Sequence, residues 1–375
     1  TQVHQMKLLN LKYLQEHLFI TNLMKTMRFY QELISTNSKL AHKDSEFSLG
    51  ISNWYKKNGR ENLPWREDIT PYRIWISEVM LQQTQVKTVI PFFNSFIQNY
   101  PDLNKLSSAS EENVLALWTG LGFYRRAKNI FKAKEVIKAN FDNRFPTKFD
   151  EIISLPGIGD STAGAIMSIA YKEPYPILDA NVKRVISRYE GIENDSSISS
   201  IKELWTLSKK HTPLKNIFEY TQGIMDIGAT ICNTKTPDCK ICPLHSSCQS
   251  AFSTIEKKAI SKKINPIKYI HFELAYTDKK VLLFKRHKKT FWESLWIPYE
   301  ADDDRSSLIN KKEIESQIIN IKHKLSHLDL DITVKLIKYK NIFNLATNLE
   351  YLWIKKDEIE KFGLPKPIKT IIEGI

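Results

Sequence analysis

Four cysteines constrain this chain more than any other feature. They are its only cysteines in 375 residues and fall within seventeen positions, spaced C-x6-C-x2-C-x5-C: Cys232, Cys239, Cys242 and Cys248. Four thiolates so close in sequence can converge on one metal centre, and soft sulfur ligands select zinc or an iron–sulfur cluster. The spacing leaves both open, although zinc ribbons ordinarily use two CxxC knuckles and this segment has one. A disulfide pair is the remaining alternative, but nothing else in the sequence is typical of secretion.

The composition indicates a folded protein with a polyanionic partner. Hydrophobic residues make up 42% of the chain and aromatic residues 11%, which is globular, and the length suits two or three domains. The net charge of +13 favours binding to nucleic acid, with a generally lysine-rich proteome as the alternative explanation. No run of roughly eighteen apolar residues is present, so the sequence predicts no transmembrane helix and no membrane partner.

Periodicity and punctuation divide the chain into four parts. Residues 1–45 have loosely helical apolar spacing and no assigned role. From 46 to 250 the pattern is helical throughout, for example over 75–96, which predicts an all-α domain. The polar residues 251–267 have the composition of a linker.

Residues 268–375 change to a pattern of short strands, which predicts a smaller α+β domain. A helix is predicted at 311–319. The β-prone runs are 272–276, 281–284, 332–337 and 349–354.

A glycine-containing turn, LPGIG at 155–159, lies between two predicted helices at 148–154 and 161–171. Glycines at alternate positions let the backbone turn tightly and direct N–H groups outward, where they bind an anionic oxygen such as a phosphate. Phosphate contacts position a protein on DNA without reading its sequence. An ordinary turn between two helices is the alternative for this motif alone.

The order of LPGIG, an aspartate twenty residues beyond it and four cysteines resembles the helix-hairpin-helix DNA glycosylases. Between 63 and 248 the chain resembles the MutY-type adenine DNA glycosylases, on the runs LPWR at 63–66, WISEVMLQQTQV at 75–86, LWTGLGFY at 117–124, ILDANVKRV at 177–185 and MDIGA at 225–229. The resemblance implies an all-α helix-hairpin-helix domain with a [4Fe–4S] cluster on the four cysteines. It also implies base excision repair of double-stranded DNA, with adenine removed opposite 8-oxoguanine or guanine.

Two positions within this resemblance separate reaction classes. Endonuclease III-like lyases carry a lysine nucleophile two residues past the last glycine of the hairpin, where this chain has Ser161, so the resemblance implies a monofunctional glycosylase. Glu78 stands where the endonuclease III pattern has an amide, and a carboxylic acid can protonate a leaving base whereas an amide cannot do so usefully. The rival reading is an endonuclease III-like glycosylase and AP lyase for oxidised pyrimidines.

Release of adenine needs two carboxyl groups with different duties. One must protonate the poor leaving group, and one must stabilise the positive charge that builds on the sugar. The resemblance implies that Glu78 protonates N7, that Asp179 stabilises or covalently traps the sugar, as in retaining glycosidases, and that Asn181 orients Asp179. From the residues alone, Glu78 could be a solvated helix charge and Asp179 the N-cap of a helix at 181–189, a role compatible with catalysis.

The resemblance also implies contacts to the DNA. Gln222 matches a position that contacts the flipped adenine, and Gln83 and Phe123 match residues that probe the duplex around the oxidised guanine. The family usually has tyrosine at 123, so the apolar wedge that base extrusion requires is kept and a hydroxyl is lost; core packing is the alternative for Phe123. Lys183 is expected at a phosphate or as a weak Schiff-base former. The other expected DNA-binding residues are Leu155, Gly157, Gly159 and Ser161.

Residues 268–375 resemble the Nudix-like MutT domain that MutY proteins append. The runs VLLFKR at 281–286 and FWESLWIP at 291–298 match its opening strands, and HKLSH at 323–327 resembles its 8-oxoguanine-sensing loop. Ser326 and His327 are therefore expected to contact the damaged base, although Leu325 replaces the usual phenylalanine and an ordinary loop is the alternative. The Nudix hydrolase signature is absent, so the domain should recognise rather than hydrolyse.

Other expectations complete this interpretation. We expect a monomer in the cytoplasm, associated with a bacterial nucleoid, or in the nucleus or mitochondrion of a eukaryote. A structural role for the cluster is the default and redox sensing the alternative. A damage-binding protein without catalysis is disfavoured by the two carboxyl groups, and a Nudix hydrolase fused to a DNA-binding domain is disfavoured by the missing signature.

Overall fold

The computed structural model describes residues 45–192, 197–253, 265–301 and 313–375. The segment at 1–45, apart from its last residue, and most of the predicted linker lie outside these ranges. The described chain forms two compact units. The first unit takes its residues from 45–59, 147–154 and 163–252, and the second unit takes them from 60–146, 155–162 and 253–375.

Helices account for most of the chain up to residue 230, as the sequence predicts. No helix in the described ranges is long and apolar enough to cross a membrane. The helices are α1 (Glu46–Asn58), α2 (Pro64–Glu67), α3 (Pro71–Leu81), α4 (Val86–Asn99), α5 (Leu103–Ser107), α6 (Glu111–Leu117), α7 (Arg125–Asn140), α8 (Phe149–Ile153), α9 (Asp160–Ile166, continued by a π-helical turn Met167–Tyr171), α10 (Ala180–Glu190), α11 (Ile198–His211) and α12 (Ile217–Thr230).

Glycines on α12 let the helices of the first unit approach closely. Helix α1 lies against α12 at Gly223, where an added Cβ would be 2.8 Å from Cγ2 of Ile51. Helix α10 lies against α12 at Gly228, where an added Cβ would be 2.6 Å from Cβ of Asn181. Real Cβ atoms do not approach so closely, so these two glycines determine how near α1 and α10 come to α12. The second contact fixes the start of α10.

The helical part of the second unit is built on buried aromatic side chains. Trp75, Phe93, Phe96 and Trp118 are fully buried. The apolar pattern over 75–96 spans two helices rather than one, because α3 ends at Leu81 and α4 begins at Val86. Both helices bury their apolar faces in the same core. The apolar pattern therefore continues from one helix to the next and does not indicate the turn between them.

The rest of the second unit contains a seven-stranded sheet. Strand β1 pairs with β6 in parallel along its whole length, and all other pairs are antiparallel. The spatial order is β3-β2-β1-β6-β5, with β4 on β1 and β7 on β2. The strands are β1 (Ile267–Tyr276), β2 (Lys280–Lys285), β3 (Trp296–Ile297), β4 (Tyr299–Ala301), β5 (Glu315–Lys324), β6 (Asp329–Lys338) and β7 (Tyr351–Lys355), and α13 (Lys366–Glu373) follows them.

The four predicted β-prone runs fall on β1, β2, β6 and β7, which confirms them. The helix predicted at 311–319 is wrong, because the residues from 315 onward form β5. Exposure alternates along β5 from Ile319, and every residue of β5 has a partner on β6. Pairing with β6 satisfies backbone groups that a helix would have satisfied internally, so the neighbouring strand overrides a weak local preference.

The chain enters the sheet beside the hairpin that joins β5 to β6. The backbone N–H of Asp329 donates to the carbonyl of Pro266 at 3.0 Å. The side-chain amide of Asn265 donates to the carbonyl of Leu325 at 3.3 Å and to the carboxylate of Asp329 at 3.2 Å. The entry point and the hairpin are therefore one hydrogen-bonded structure.

Candidate active site

Glu78 lies in the last part of α3, among side chains of the core. Its neighbours Val79 and Met80 are buried, and Glu78 itself is half-buried. Glu78 is therefore partly shielded from solvent, and its role as the acid stays a prediction.

Arg126 holds the end of α3, a role that the sequence analysis missed. Its side chain is 7% exposed, and burial lowers the pKa of the guanidinium to about 10, so it stays charged at neutral pH. Helix ends leave carbonyl groups without intrahelical partners, and the forked guanidinium satisfies several at once. It donates to the carbonyls of Val79 (3.0 Å), Met80 (2.6 Å), Gln82 (2.7 Å) and Gly122 (3.1 Å) and to Oγ1 of Thr84 (3.2 Å).

The two turns that Arg126 joins carry the expected duplex-probing residues. Gln83 (φ 57°) and Phe123 (φ 50°) both have left-handed backbones, a conformation uncommon outside glycine that is often found at functional sites. Gln83 is exposed, and Phe123 is 43% exposed with its ring centroid 5.3 Å from Cζ of Arg126. Phe123 is therefore not a core residue, and the structure brings it together with Gln83 through one guanidinium.

The LPGIG turn connects α8 to α9, and its two glycines have different roles. Leu155 is buried, and its carbonyl accepts from the N–H of Ile158 at 3.1 Å. Gly157 has φ +83°, and an added Cβ would be 2.6 Å from Cβ of Asn129. At Gly159 an added Cβ would meet no atom within 4 Å, and φ is not positive. The fold requires Gly157, whereas Gly159 leaves open surface beside the half-buried Ser161.

Asp179 is the N-cap of α10 in the first unit. Its carboxylate accepts from the N–H of Val182 at 2.7 Å, so the capping role is confirmed. Burial raises the pKa of Asp179, while the N–H groups of Val182 and Asn181 and the charges of Arg184 and Lys183 oppose that rise. The ionised carboxylate is therefore poorly solvated and held by backbone donors at the start of a helix.

Arg184 joins this end of α10 to the cysteine segment. Its guanidinium donates to Oδ1 of Asn181 at 2.8 Å, to the carbonyl of Gly228 at 2.6 Å and to the carbonyl of Cys232 at 2.7 Å. Arg184 thus holds the side chain of Asn181. The backbone N–H of Asn181 donates to the carboxylate of Asp179.

The four cysteines lie on the segment that follows α12. All four are half-buried, and no disulfide joins them. Arg188 donates to Sγ of Cys232 at 3.3 Å. Burial, with a smaller contribution from the other three sulfurs, raises the pKa of Cys242 to about 11. Within the described residues, no three Cys, His, Asp or Glu side chains are grouped closely enough to hold one metal ion.

Comparison with known proteins identifies the family. The HhH-GPD superfamily of base excision DNA repair proteins matches residues 76–210, and the NUDIX domain matches 271–374. An adenine DNA glycosylase of Buchnera aphidicola (subspecies Acyrthosiphon pisum) is 40% identical over 344 residues, covering 88% of this chain and 97% of that protein. The chain belongs to the adenine DNA glycosylase family.

More distant relatives support the same family assignment. The human adenine DNA glycosylase is 36% identical over 214 residues, which cover 54% of this chain and 39% of that protein. The structure of a thermostable thymine-DNA glycosylase aligns with a TM-score of 0.50 and 27% identity over 54% of this chain and 93% of that chain. The predicted fold class, a helix-hairpin-helix glycosylase domain with a Nudix-like domain, is confirmed, and the protein is a DNA N-glycosylase.

In this adenine DNA glycosylase family member, the hairpin between β5 and β6 carries the expected sensing residues. Ser326 and His327 are exposed, with Oγ and Nδ1 3.3 Å apart, and the N–H of Leu325 donates to the carbonyl of Leu328 at 2.8 Å. A cavity of about 680 Å³ is lined by both this hairpin and Phe123. Its basic lining residues, which the sequence analysis did not single out, are Arg125, Lys128, Lys132, Lys289, Lys324 and Lys366.

The remaining expected residues divide between the units. Glu78 belongs to the second unit, and Asp179, Asn181, Lys183 and Gln222 belong to the first. Lys183 is half-buried on α10, and Gln222 is only 2% exposed on α12. The two expected catalytic carboxyl groups are therefore supplied by different units of the chain.

Replacing Arg126 by methionine should destabilise the protein by about 3 kcal/mol, because several buried acceptors lose their donor at once. The adjacent Arg125 is exposed, so Arg125→Met is a matched control that should change the free energy of unfolding by less than about 0.5 kcal/mol. Chemical unfolding of the two variants beside the wild type measures the difference. Equal stability of the two variants would contradict the role given to Arg126.

The two hairpin glycines should respond differently to alanine. Gly157→Ala should lower stability by about 1–2 kcal/mol, because it places a Cβ in a left-handed conformation and against Asn129. Gly159→Ala should leave the melting temperature close to that of the wild type, because its Cβ meets no atom, and should weaken duplex binding if, as the sequence predicts, a DNA backbone contacts this turn. Thermal unfolding and duplex affinity at one fixed salt concentration test both. Unchanged affinity of Gly159→Ala would remove this turn from the DNA interface.

Proposed function

We propose that this protein excises adenine from duplex DNA where it is mispaired with 8-oxoguanine or guanine, as a monofunctional glycosylase of base excision repair. The observation that carries the proposal is the cavity shared by the exposed Phe123 and the Ser326–His327 hairpin. An apolar wedge and a set of polar side chains on one cavity can open a duplex and inspect the exposed base. The names of the relatives, adenine DNA glycosylase, support the identity of the excised base.

The chemistry is divided between the two carboxyl groups. Glu78, half-buried at the end of α3, protonates the departing adenine at N7. Asp179 stabilises the positive charge on the sugar, and its poor solvation strengthens that attraction, because fewer water dipoles compete for the carboxylate. Asn181 supports Asp179 through its backbone N–H. Ser161 cannot form a Schiff base, which favours base release without strand cleavage.

Binding to DNA combines a phosphate contact with base inspection. The open surface at Gly159 and the lysine and arginine side chains of the cavity supply attraction for phosphates. We assign Gln83 to the duplex beside Phe123, Gln222 to the flipped adenine, and Lys183 to a phosphate. The substrate places the protein with chromosomal DNA, and it is proposed to act as a monomer.

The cysteine segment is proposed to hold a [4Fe–4S] cluster. Burial and, to a smaller extent, the charges of the other three sulfurs raise the pKa of the Cys242 thiol, so the four sulfurs lie near one another, as the ligands of one cluster must. Arg188, bonded to the sulfur of Cys232, offsets the charge that thiolate ligands bring. Cys232, Cys239, Cys242 and Cys248 would hold the cluster, which would cross-link residues 232–248.

Base release from three duplexes under single turnover tests the proposed function. Adenine should be released opposite 8-oxoguanine and, more slowly, opposite guanine, with strand breakage only after alkali. Cleavage restricted to a duplex that carries thymine glycol would instead identify an endonuclease III-type lyase.

The variant Glu78→Gln should lose about 10²–10⁴-fold in rate while binding the duplex as the wild type does, since it removes the acid and keeps the shape. Glu67→Gln, which alters an exposed carboxylate on α2, is the matched control and should be fully active. Turnover by Glu78→Gln at the control's rate would show that another group is the acid.

Visible absorbance and metal analysis of the purified protein test the cluster. Iron and sulfide in equal amounts with broad visible absorbance are expected, whereas zinc is a d¹⁰ ion without such absorbance. Cys242→Ser should lower both the iron content and the melting temperature, because the segment loses a ligand. Stoichiometric zinc in a colourless protein would contradict the cluster.

A further inference from the structure

The segment before α13 is bonded to the residues on either side of the turn at 120–123, which we call the Phe123 turn. We infer that Tyr124 and Leu364 form a clasp that holds the Phe123 turn at a fixed distance from the Ser326–His327 hairpin, so that Tyr124 is a positioning residue for recognition of the base opposite adenine. The inference rests on the proposed function and gives a role to Tyr124, which lies in the LWTGLGFY run but is not among the expected DNA contacts.

Both backbone groups of Leu364 are used in the clasp. The hydroxyl of Tyr124 donates to the carbonyl of Leu364 at 2.7 Å, and the N–H of Leu364 donates to Oγ1 of Thr119 at 3.2 Å. The Tyr124 hydroxyl also accepts from the N–H of Gly120 at 3.3 Å. Leu364 is fully buried. The residues on either side of the Phe123 turn are thus tied to one point of the chain.

The turn inside the clasp depends on such external bonds. Gly120, Gly122 and Phe123 all have positive φ (101°, 78° and 50°), so the turn has no regular helical or strand pairing of its own. The indole N–H of Trp118 donates to the carbonyl of Gly122 at 3.0 Å, and Arg126 donates to the same carbonyl. A left-handed backbone at a non-glycine residue persists only where the surroundings hold it. The clasp is the part of those surroundings that comes from the C-terminal residues.

Leu364 is in turn bonded to the sheet through its neighbour. The carbonyl of Gly363 accepts from the N–H of Trp296 on β3 at 2.9 Å, and its N–H donates to the carboxylate of Glu112 at 2.9 Å. Glu112 also pairs with Lys285 on β2. An added Cβ on Gly363 would lie 2.8 Å from Cβ of Leu115, so the segment has no room to shift toward α6. The clasp therefore connects the Phe123 turn to the sheet through hydrogen bonds and close packing that leave little room for movement.

A second connection lies on the cavity wall. Lys128 of α7 pairs with Glu293 at 2.9 Å, and both line the cavity with Phe123, Ser326 and His327. The spacing across the cavity is thus set by protein contacts on two sides. The Ser326–His327 hairpin can distinguish 8-oxoguanine from guanine in a base held against Phe123 only if that spacing is maintained. The reason is that hydrogen-bond strength falls steeply with distance and angle.

The test is the ratio of adenine release rates opposite 8-oxoguanine and opposite guanine, measured with the full chain under single turnover. Tyr124→Phe should lower this ratio about fivefold, the equivalent of one hydrogen bond, mainly by slowing release opposite 8-oxoguanine. Thr119→Val, which removes the other bond to Leu364, should lower it in the same direction. In a Ser326→Ala background, Tyr124→Phe should have little further effect, because the hairpin contact that it positions is already lost.

A matched control separates positioning from general stability. Tyr72 is buried, whereas Tyr124 is half-buried, and the Tyr72 hydroxyl donates to the carbonyl of Tyr100 at 2.6 Å within the helical part of the second unit. Tyr72→Phe therefore removes a similar hydrogen bond that does not reach the sheet. It should leave the rate ratio unchanged even if it lowers the melting temperature as much as Tyr124→Phe does.

Hydrogen exchange supplies a readout that does not depend on catalysis. Exchange in peptides covering 362–366 and 323–328 should rise in Tyr124→Phe and not in Tyr72→Phe. A wild type that releases adenine, together with an unchanged ratio in Tyr124→Phe or an equal fall in Tyr72→Phe, would overturn the clasp and leave the proposed function standing. A wild type that releases no adenine would overturn the proposed function, and unchanged exchange would then overturn the clasp as well.

Discussion

The hydrogen bonds of the buried Arg126 guanidinium are the interaction on which the end of α3 and the turn before α7 depend. The guanidinium provides donors to the end of α3 and to the turns that carry Gln83 and Phe123. A buried arginine is tolerated because its donors are matched by carbonyl groups that a helix end and irregular turns leave unsatisfied. The helix of the proposed acid and the turn of the proposed wedge are consequently parts of one hydrogen-bonded body, and neither can move without breaking bonds to the same cation.

A similar arrangement recurs in the first unit with different partners. There Arg184 joins Asn181 and α12 to the segment that begins at Cys232, while Asp179 caps the same helix. Each proposed catalytic carboxyl group thus lies on a helix that a guanidinium connects to other backbone segments. Under the proposed function, the two arginines hold the helices of both carboxyl groups in place, as chemistry that depends on preorganised charge requires.

Local pattern and residue type predicted much of this structure, and their failures have physical causes. The helices around LPGIG and the capping role of Asp179 follow from short-range preferences, and they were predicted. Strand β5 was not predicted, because it is stabilised by pairing with β6, and the sequence of residues 315–324 alone does not indicate that tertiary contact. Arg126 was missed because adjacent arginines look alike in sequence, although only one of them is buried. The two glycines of the hairpin also look equivalent, yet only Gly157 has a positive φ.

The hydrogen bonds of Asn265 have a mechanical meaning. Because its amide grips the carbonyl of Leu325 and the carboxylate of Asp329, the strand by which the chain enters the sheet is fastened to the hairpin that bears Ser326 and His327. A displacement of Asn265 would strain these two bonds and so act on the hairpin directly. The point where the chain enters the sheet and the hairpin proposed to inspect the lesion therefore share one set of hydrogen bonds, and a change at the first would be felt at the second.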